Sequence, residues 1–248
     1  NINGIGYKVD GKVVLTAPRE PIKNLDEIPF PDWHLFPIDN IYIYGECEGA
    51  GPLRNLNLST TRGCPYKCTY CLPSFSRKYK FTYRSSENVV EEIQMLIKDF
   101  SVEYINFVDD TFLLHPSKVI EYCELLIKKN IKIKWGCAGR VKLVNPELLK
   151  LMHKSGCLYM GLGIESGSDT VLKRMIKGFN SIEADTDIKL ITSMGIKVNT
   201  YYMIGMLDET EEEIDETKEF IKKVGERYSI SFTTPYPGTE LYKMALSQ

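Results

Sequence analysis

Three cysteines within eight positions are the residues of this sequence whose types and spacing could do chemistry. Cys64, Cys68 and Cys71 stand in the run Thr-Arg-Gly-Cys-Pro-Tyr-Lys-Cys-Thr-Tyr-Cys, with the spacing C-x3-C-x2-C. Thiolates are soft ligands that favour iron–sulfur clusters, zinc and Cu(I). A cubane iron–sulfur cluster normally takes four Cys ligands. Three nearby cysteines without an obvious fourth would therefore leave one iron open to an exogenous ligand.

Two other interpretations of these cysteines stay open at this level. A zinc site favours paired C-x2-C segments and His ligands, but His34, His115 and His153 have no paired spacing with the cysteines. The three cysteines could also be unrelated core residues, although their position in one loop after a strand argues against chance. The other four cysteines are isolated, which is typical of small buried hydrophobes. They are Cys47, Cys123, Cys137 and Cys157.

The composition excludes several classes of protein. The chain has 248 residues, a formal net charge of −2, 26% charged and 43% hydrophobic residues, which is ordinary for a globular protein and atypical of a disordered one. No apolar run approaches the roughly 18 residues of a membrane helix. The near-neutral charge lacks the excess of Lys and Arg that is typical of nucleic-acid-binding proteins. The odd cysteine count and the lack of a signal-peptide pattern argue against a secreted disulfide framework.

From residue 53 onwards, strand patterns alternate with amphipathic helix patterns in six strand–helix units. The predicted strands are 56–61, 104–108, 131–137, 158–164, 196–204 and 230–233. The predicted helices are 86–100, 115–129, 145–155, 181–194, 210–224 and a short one from about 238. Such alternation implies parallel strands with right-handed crossovers, in either an open doubly wound sheet or a complete or incomplete barrel. Both architectures place function in the loops after the strands, where the three cysteines lie.

Residues 1–52 have a different pattern from the rest. Asp10 and Gly11 separate two short apolar runs, which predicts a tight hairpin. Five prolines between positions 18 and 37 then forbid a regular helix or a central strand. We interpret this stretch as an extended connector that packs on a neighbouring surface, and a plain linker is the alternative. The side chains expected to pack are Phe30, Trp33, Leu35 and Phe36.

Several segments together resemble the radical S-adenosylmethionine (SAM) superfamily. Its signature is the same three-cysteine spacing with an aromatic residue before the last Cys, here Tyr70. Residues 106–112 (Asn-Phe-Val-Asp-Asp-Thr-Phe) resemble the second-strand segment of the cobalamin-associated branch. Residues 161–168, 204–210 and 235–239 resemble the fourth-, fifth- and sixth-strand motifs. Leu207 and Asp208 stand where the fifth-strand motif usually has Pro and Gly.

This resemblance implies a fold, two cofactors and a reaction. The fold would be α/β, a partial (β/α)6 TIM-like barrel of parallel strands over residues 53–248, preceded by the hairpin and the Pro-rich connector of residues 1–52. Cys64, Cys68 and Cys71 would hold a [4Fe–4S] cluster whose open iron takes the amino and carboxylate groups of SAM. Reductive cleavage of SAM would give methionine and a 5′-deoxyadenosyl radical. The cofactor would carry the chemistry and the protein would position it.

The resemblance also suggests cofactor-binding roles for residues at the strand ends. Tyr70 precedes the last Cys. Asp109 and Asp110 could bind the SAM ammonium, and their ordinary role is to favour the dipole of the following helix. Arg140 could meet the SAM carboxylate or be an ordinary surface or ion-paired residue. Glu165 and Ser166 could accept from the ribose hydroxyls, or serve as a turn residue and a cap. The remaining candidates for the adenine pocket or the substrate, with strand core or packing as the alternative, are Met203, Ile204, Gly205 and Tyr236.

The Pro-rich stretch resembles the connector between a cobalamin-binding domain and a radical SAM core. The chain contains no D-x-H-x-x-G motif, the usual cobalamin-ligating sequence, so a cobalamin domain would lie upstream of residue 1 or be absent. The branch would imply methyl transfer or rearrangement on a small molecule or peptide. It would also imply an electron donor of the flavodoxin or ferredoxin type and a cytoplasmic location. Neither a membrane nor a nucleic-acid partner is expected. Two alternatives remain: a tRNA methylthiotransferase-like enzyme, and a metal-binding module without catalysis.

Overall fold

The computed structural model describes residues 2–38, 44–72, 81–225 and 227–247. Its strands are β1 Gly6–Val9, β2 Lys12–Leu15, β3 Tyr44–Cys47, β4 Gly51–Leu58, β5 Thr61–Arg62, β6 Thr82–Tyr83, β7 Tyr104–Phe107, β8 Lys134–Gly139, β9 Cys157–Glu165, β10 Lys197–Ile204 and β11 Tyr228–Phe232. Its α-helices are α1 Ser86–Phe100, α2 Pro116–Lys128, α3 Pro146–Lys154, α4 Asp169–Arg174, α5 Ser181–Ser193, α6 Glu211–Val224 and α7 Glu240–Leu246. Within these described ranges, the helices are too short or too polar to cross a bilayer.

A seven-stranded sheet carries the fold, with the spatial order β11-β10-β9-β8-β7-β4-β3. Six strands pair in parallel, namely β4, β7, β8, β9, β10 and β11. Strand β3 pairs antiparallel with β4 at the edge of the sheet. The spatial order follows the chain order and contains no point at which it reverses, as a doubly wound sheet would require. The predicted partial barrel of six parallel strands is therefore confirmed, and the doubly wound alternative is wrong.

The two sides of the parallel sheet differ in chemistry because side chains alternate along each strand. The side packed against the helices is apolar and belongs to one buried cluster, in which Trp135 contacts Phe107, Phe112 and Tyr122 through tilted and edge-to-face rings. The opposite, concave side of β7, β8 and β9 carries tyrosines together with small or polar residues. They are Tyr104, Asn106, Gly136, Ala138, Tyr159, Gly161 and Gly163. The concave side is thus free to bind ligands while the other side supplies stability.

The helix ends follow their capping residues. The side chains of Ser85, Asn145, Asn180 and Thr210 each accept from a backbone N–H in the first turn of α1, α3, α5 and α6. These caps explain why the predicted helices agree with the observed ones to within about two residues. The first strand of the barrel differs more, because β4 begins at Gly51 and ends at Leu58, earlier than the predicted range of 56–61 at both ends.

The amino-terminal region contains the predicted hairpin and a connector that is anchored to the barrel. Asp10 and Gly11 have φ values of 49° and 77°, which close the turn between β1 and β2. In the connector, Leu25 and Ile38 are buried, and Trp33 packs against the main core.

One of the four side chains expected to pack does not do so. Leu35 is 79% exposed, so that part of the prediction was wrong, whereas the Phe36 ring lies 6.0 Å from the Trp33 ring. Leu35 is the last residue of a 3-10 turn over Trp33–Leu35, in which Trp33 packs against the main core. Phe30, by contrast, lies under the guanidinium of Arg84, 5.4 Å from it.

Candidate active site

The three-cysteine segment lies after β5, at the carboxyl end of the barrel strands, and is fixed by backbone hydrogen bonds. The Thr69 amide donates to the Met175 carbonyl at 3.1 Å, and the Leu241 amide donates to the Thr69 carbonyl at 2.9 Å. The Cys71 amide donates to the Cys68 carbonyl at 3.2 Å. The loop is therefore held between the end of α4 and the start of α7, which limits where its sulfur atoms can lie.

All three cysteines line one cavity of about 300 Å³ on the concave side of the sheet. The cavity collects residues from the cysteine loop and from the ends of β8, β9 and β10, together with side chains that follow β7 and α4. Its lining residues are Cys64, Tyr66, Cys68, Tyr70, Cys71, Asp110, Thr111, Ala138, Gly139, Arg140, Gly161, Gly163, Glu165, Lys177 and Tyr201. Sulfur ligands, two cations and two carboxylates thus face the same space.

The donor set fits a [4Fe–4S] cluster with one open iron. Cys64 is half-buried and Cys68 is buried, while Cys71 keeps an exposed face. Partial burial of the Cys71 thiol, together with the neighbouring Cys68 and Cys64, raises its pKa. Metal binding must therefore displace a proton from Cys71. Across the described ranges, no three His, Cys, Asp or Glu side chains are arranged around a single metal ion. A cubane cluster has no such requirement, because each of its thiolates binds a different iron.

The other four cysteines lie outside this cavity. Cys123, Cys137 and Cys157 are almost fully buried in the main core, and Cys47 is buried on β3. Burial raises the pKa of Cys123 to about 12. The Cys123 thiol therefore resists deprotonation. The structure therefore offers no fourth cysteine to the loop.

Tyr70, Glu165 and Lys177 form a buried hydrogen-bonded group at one wall of the cavity. The Tyr70 hydroxyl donates to Glu165 Oε1 at 3.0 Å, and Lys177 Nζ lies 3.2 Å from both the Glu165 oxygen and the Tyr70 hydroxyl. Burial and the Glu165 carboxylate raise the pKa of Tyr70, so the phenol stays protonated and serves as a donor. Glu165 has a φ of +76°, which turns its side chain into the cavity at the end of β9.

Arg140 joins the cysteine loop to the segment after α4. Its guanidinium lies 3.7 Å from the Tyr66 ring centroid and donates to the Lys177 carbonyl, and Nη1 lies 3.8 Å from Cys68 Sγ. Arginine suits this place because a planar guanidinium can stack on an aromatic ring and donate from its edge. Its positive charge therefore stands beside the sulfur ligands.

The adjacent carboxylates of Asp109 and Asp110 have different surroundings. Asp109 is 4% exposed and accepts from the Thr60 amide at 2.8 Å, from the Thr61 amide and from the Thr61 hydroxyl at 2.7 Å. Burial raises the pKa of Asp109 and these hydrogen bonds oppose the rise. Asp109 thus holds the backbone that leads into the cysteine loop and does not line the cavity. Asp110 is exposed and does line it.

The remaining predicted residues lie outside the cavity lining. Ser166 is fully buried and its hydroxyl is 2.9 Å from that of Thr217. Met203 packs against a small apolar cluster that includes Met206 and Leu241. Ile204 ends β10 and Gly205 follows it, and the Ile204 carbonyl accepts from the Thr233 amide at 2.8 Å. Tyr236 is 54% exposed on the segment after β11. Their predicted contacts with SAM or substrate stay predictions.

The turn after β10 forms without the Pro and Gly of the usual family motif. Asp208 takes a φ of +59°, a conformation that Asp tolerates better than most residues. The Glu209 carboxylate accepts from the amides of Gly205 and Met206 at 2.6 and 3.0 Å. A side-chain carboxylate therefore supplies the hydrogen bonds that close this loop.

Sequence reasoning missed eight of the fifteen lining residues, among them the polar side chains of Lys177 and Thr111. Lys177 follows a short helix that carried no clear periodic pattern, and a lone lysine is normally a surface residue. The signal that could have found it is Gly178 directly after it, which marks a turn at the mouth of the barrel. Thr111 follows the Asp109-Asp110 pair, and a threonine beside two carboxylates carries no sequence signal of its own.

Fold and site together define an α/β half-barrel that carries three cysteines around one cavity at the carboxyl ends of its strands. The model of the radical SAM superfamily matches residues 58–221. The chain therefore belongs to the radical SAM superfamily, whose members use a [4Fe–4S] cluster and SAM, and the resemblance inferred from the motifs is confirmed.

Relatives match along nearly the whole chain. An uncharacterised methyltransferase of Pyrococcus horikoshii is 33% identical over 99% of this chain and 52% of its own length. The anaerobic magnesium-protoporphyrin IX monomethyl ester cyclase of Rubrivivax gelatinosus is 32% identical over 98% of this chain and 43% of its own. The cobalamin-dependent SAM radical enzyme OxsB, solved with aqua-cobalamin and SAM, shares the fold with a TM-score of 0.78, 20% identity, and coverage of 99% of this chain and 41% of its own. The chain thus spans about half the length of the curated relatives that it matches.

Proposed function

We propose that this chain is the catalytic core of a radical SAM enzyme in which Cys64, Cys68 and Cys71 hold a [4Fe–4S] cluster and SAM binds in the adjoining cavity. When bound and reduced, these cofactors supply a 5′-deoxyadenosyl radical or a methyl group. The carrying observation is that the three sulfur atoms share one cavity of about 300 Å³ with two cationic and two anionic side chains. We expect the same core to act on a small molecule or a peptide.

The charged side chains of the cavity complement the amino-acid part of SAM. That part is a zwitterion, with an ammonium and a carboxylate on one carbon. Asp110 is exposed to the cavity and would accept from the ammonium. The oxygens of Asp109, by contrast, already accept hydrogen bonds from the amides of residues 60 and 61 and from the hydroxyls of residues 59–61. Arg140 and Lys177 supply the positive charge that a carboxylate requires.

The group of Tyr70, Glu165 and Lys177 would orient the ribose side of SAM. A carboxylate can accept about four hydrogen bonds. Glu165 accepts two in the structure, both at Oε1, so it keeps a lone pair for a ribose hydroxyl. Lys177 is 4% exposed and pairs with Glu165, so it holds that carboxylate in place. The role of this chain is to bind, orient and exclude water, while the cofactor carries the chemistry.

We further propose that residues 1–52 connect this core to an upstream cobalamin-binding domain. One support is the Pro-rich segment, which lies anchored against α1. Another is that the relatives are about twice as long, and one solved example, OxsB, is a cobalamin-dependent enzyme. Methyl transfer or a rearrangement would then be the reaction of the full-length protein. We expect a flavodoxin- or ferredoxin-type electron donor, a cytoplasmic location that protects an oxygen-labile cluster, and no nucleic-acid partner.

Electron paramagnetic resonance tests the proposed SAM site directly. The protein is reconstituted anaerobically with iron and sulfide, reduced with dithionite, and frozen with and without SAM. We expect SAM to change the spectrum of the reduced cluster, because it ligates the open iron. Asp110→Asn should raise the SAM concentration needed for this change, and Lys218→Met, on the exposed face of α6, should not. A spectrum that is the same with and without SAM would contradict the proposal.

Product analysis separates the proposed reaction from the two alternatives. With SAM deuterated on its methyl carbon, the full-length protein should transfer a methyl group alone, whereas a methylthiotransferase-like enzyme would add sulfur with it. A metal-binding module without catalysis would bind iron or zinc and cleave no SAM. The corrin absorption of the full-length protein purified with hydroxocobalamin tests the cobalamin domain separately.

A further inference from the structure

The hydroxyl of Thr111 lies against one of the three sulfur ligands. Thr111 Oγ1 is 3.1 Å from Cys64 Sγ, and the Thr111 residue is only 4% exposed. The other close acceptor of this hydroxyl is the carbonyl of the preceding residue, Asp110, at 2.7 Å. Nothing in the sequence motifs or in the proposed SAM contacts gives this hydroxyl a role.

Neighbouring residues fix the position of Thr111. On one side, Asp109 is buried and accepts from the amides of Thr60 and Thr61, which precede the cysteine loop. On the other side, Phe112 is buried and stacks on Phe107, with ring centroids 4.8 Å apart. The same segment therefore ties down both the backbone leading to Cys64 and the hydroxyl that faces its sulfur. Thr111 is thus held between two anchored neighbours.

We propose that the Thr111 hydroxyl donates a hydrogen bond to the Cys64 thiolate of the cluster and thereby raises the reduction potential of that cluster. The inference rests on the proposed function, because it requires a cluster on Cys64. Hydrogen bonds to the sulfur atoms are one of the ways in which proteins set such potentials. Three thiolates on a [4Fe–4S] cluster give it a net negative charge, which draws the hydroxyl proton toward sulfur more strongly than the neutral Asp110 carbonyl does.

The direction of the effect follows from the charge change. Reduction transfers one electron from dithionite, or from a flavodoxin- or ferredoxin-type donor, to the cluster, so the charge on its sulfur atoms becomes more negative. A donor at 3.1 Å from Cys64 Sγ stabilises the reduced form more than the oxidised form. Loss of the donor should therefore make the cluster harder to reduce.

The test is a potentiometric titration of the reconstituted protein followed by electron paramagnetic resonance. Thr111→Val removes the donor and keeps the shape, and we expect about a tenfold loss in the equilibrium constant for reduction, which is a shift of about 59 mV to lower potential for one electron. Thr111→Ser keeps the hydroxyl and should titrate like the wild type. Thr111→Ala is the second test if the valine variant loses its cluster.

A matched control removes a buried hydroxyl elsewhere. Thr200 is buried on β10, and its hydroxyl donates to the Arg227 carbonyl at 3.3 Å, away from the cluster site. Thr200→Val should leave the potential unchanged, since it tests only the general effect of losing a buried hydroxyl.

The outcomes separate this inference from the proposed function. If the wild type binds four irons and SAM but the valine and alanine variants keep the wild-type potential, the inference is wrong and the proposed function stands. If the wild type assembles no cluster, the proposed function is wrong and the inference falls with it. A shift in Thr111→Val that Thr111→Ser shares would show that side-chain packing, and not the hydroxyl, sets the potential.

Discussion

At the scale of single residues, the cavity depends on a buried cation. Lys177 pairs with Glu165 at 3.2 Å and has only 4% of its side chain exposed, while its backbone carbonyl accepts from Arg140. A buried carboxylate needs a cation because water no longer solvates it. Lys177 therefore both stabilises the wall of the cavity and fixes the position of the Glu165 carboxylate.

Replacement of Lys177 by methionine tests this pair. We expect Lys177→Met to lower the free energy of unfolding by about 3–5 kcal/mol, because it leaves a buried charge without its partner. Urea unfolding measures the change. The double variant Lys177→Met/Glu165→Gln should recover part of the loss, since the uncompensated charge is gone.

The exposed pair Lys218–Asp215 provides the control. Its two side chains are 60% and 68% exposed, so Lys218→Met should change the unfolding free energy by less than about 1 kcal/mol. Equal losses in the buried and the exposed variant, or a double variant that loses the sum of its two single changes, would refute the role assigned to Lys177.

Local spacing explains which site residues could be predicted. Cys64, Cys68 and Cys71 lie close together in the sequence, so their types and separations already indicate a shared ligand. Asp109 and Asp110 are indistinguishable in sequence, because only the fold directs one toward the 59–61 backbone and the other toward the cavity. Lys177 joins Tyr70 from 107 positions away, and no local pattern encodes that contact.

At the scale of elements, glycines allow the strands to pack a row of tyrosines on the concave side. Tyr104 of β7 and Tyr159 of β9 flank Gly136 of β8. A Cβ atom on Gly136 would lie 2.2 Å from the Tyr104 hydroxyl and 3.1 Å from the Tyr159 ring. The Tyr159 hydroxyl in turn meets the Tyr201 hydroxyl at 3.0 Å. This row lies below the cavity, and Tyr201 belongs to both.

A methyl group at Gly136 tests the row. Gly136→Ala should destabilise the protein by about 1–3 kcal/mol, because overpacking must displace Tyr104. Removal of the hydroxyl in Gly136→Ala/Tyr104→Phe should restore part of that stability, and thermal unfolding measures both. Gly45→Ala is the control, since its added Cβ would meet only Asn55 Nδ2 at an ordinary 3.5 Å. If the Tyr104→Phe change gave no recovery, the close contact would not be the cause.

Element predictions succeed where hydrophobic periodicity and caps coincide. Helix α1 agrees with its predicted bounds because Ser85 caps it and its apolar residues recur on one face. Helix α4 was not predicted, since six residues are too few to show a period. Strand β3 lies at the sheet edge, where pairing with β4 and not an apolar pattern defines it.

At the scale of the whole molecule, the connector belongs to the core and the hairpin does not. Asp26 Oδ1 accepts from the Ser85 amide at 2.9 Å, at the start of α1, and Leu25 is buried beside it. Every residue from 2 to 15 is exposed, and the backbone hydrogen bonds that close the hairpin ladder at Gly4 and Thr16 remain within residues 4–17. Within the described residues, the connector therefore contacts the core, whereas residues 2–15 bury no side chain.

Two variants separate these parts. Deletion of residues 1–15 should leave the unfolding free energy of the core within about 0.5 kcal/mol of the full chain, because it removes no buried group. Leu25→Ala should cost about 2–5 kcal/mol, as expected for a buried leucine. Urea denaturation compares them. A deletion as costly as Leu25→Ala would show that the hairpin supports the barrel.

Formation of 5′-deoxyadenosine is the most direct test of the central claim. The protein, reconstituted anaerobically, should bind about four irons per chain, and with SAM and dithionite it should release 5′-deoxyadenosine. Serine at Cys64, Cys68 or Cys71 should abolish both, whereas serine or alanine at the buried Cys123 should leave both intact. Cysteine-dependent binding of zinc with no 5′-deoxyadenosine would contradict the account.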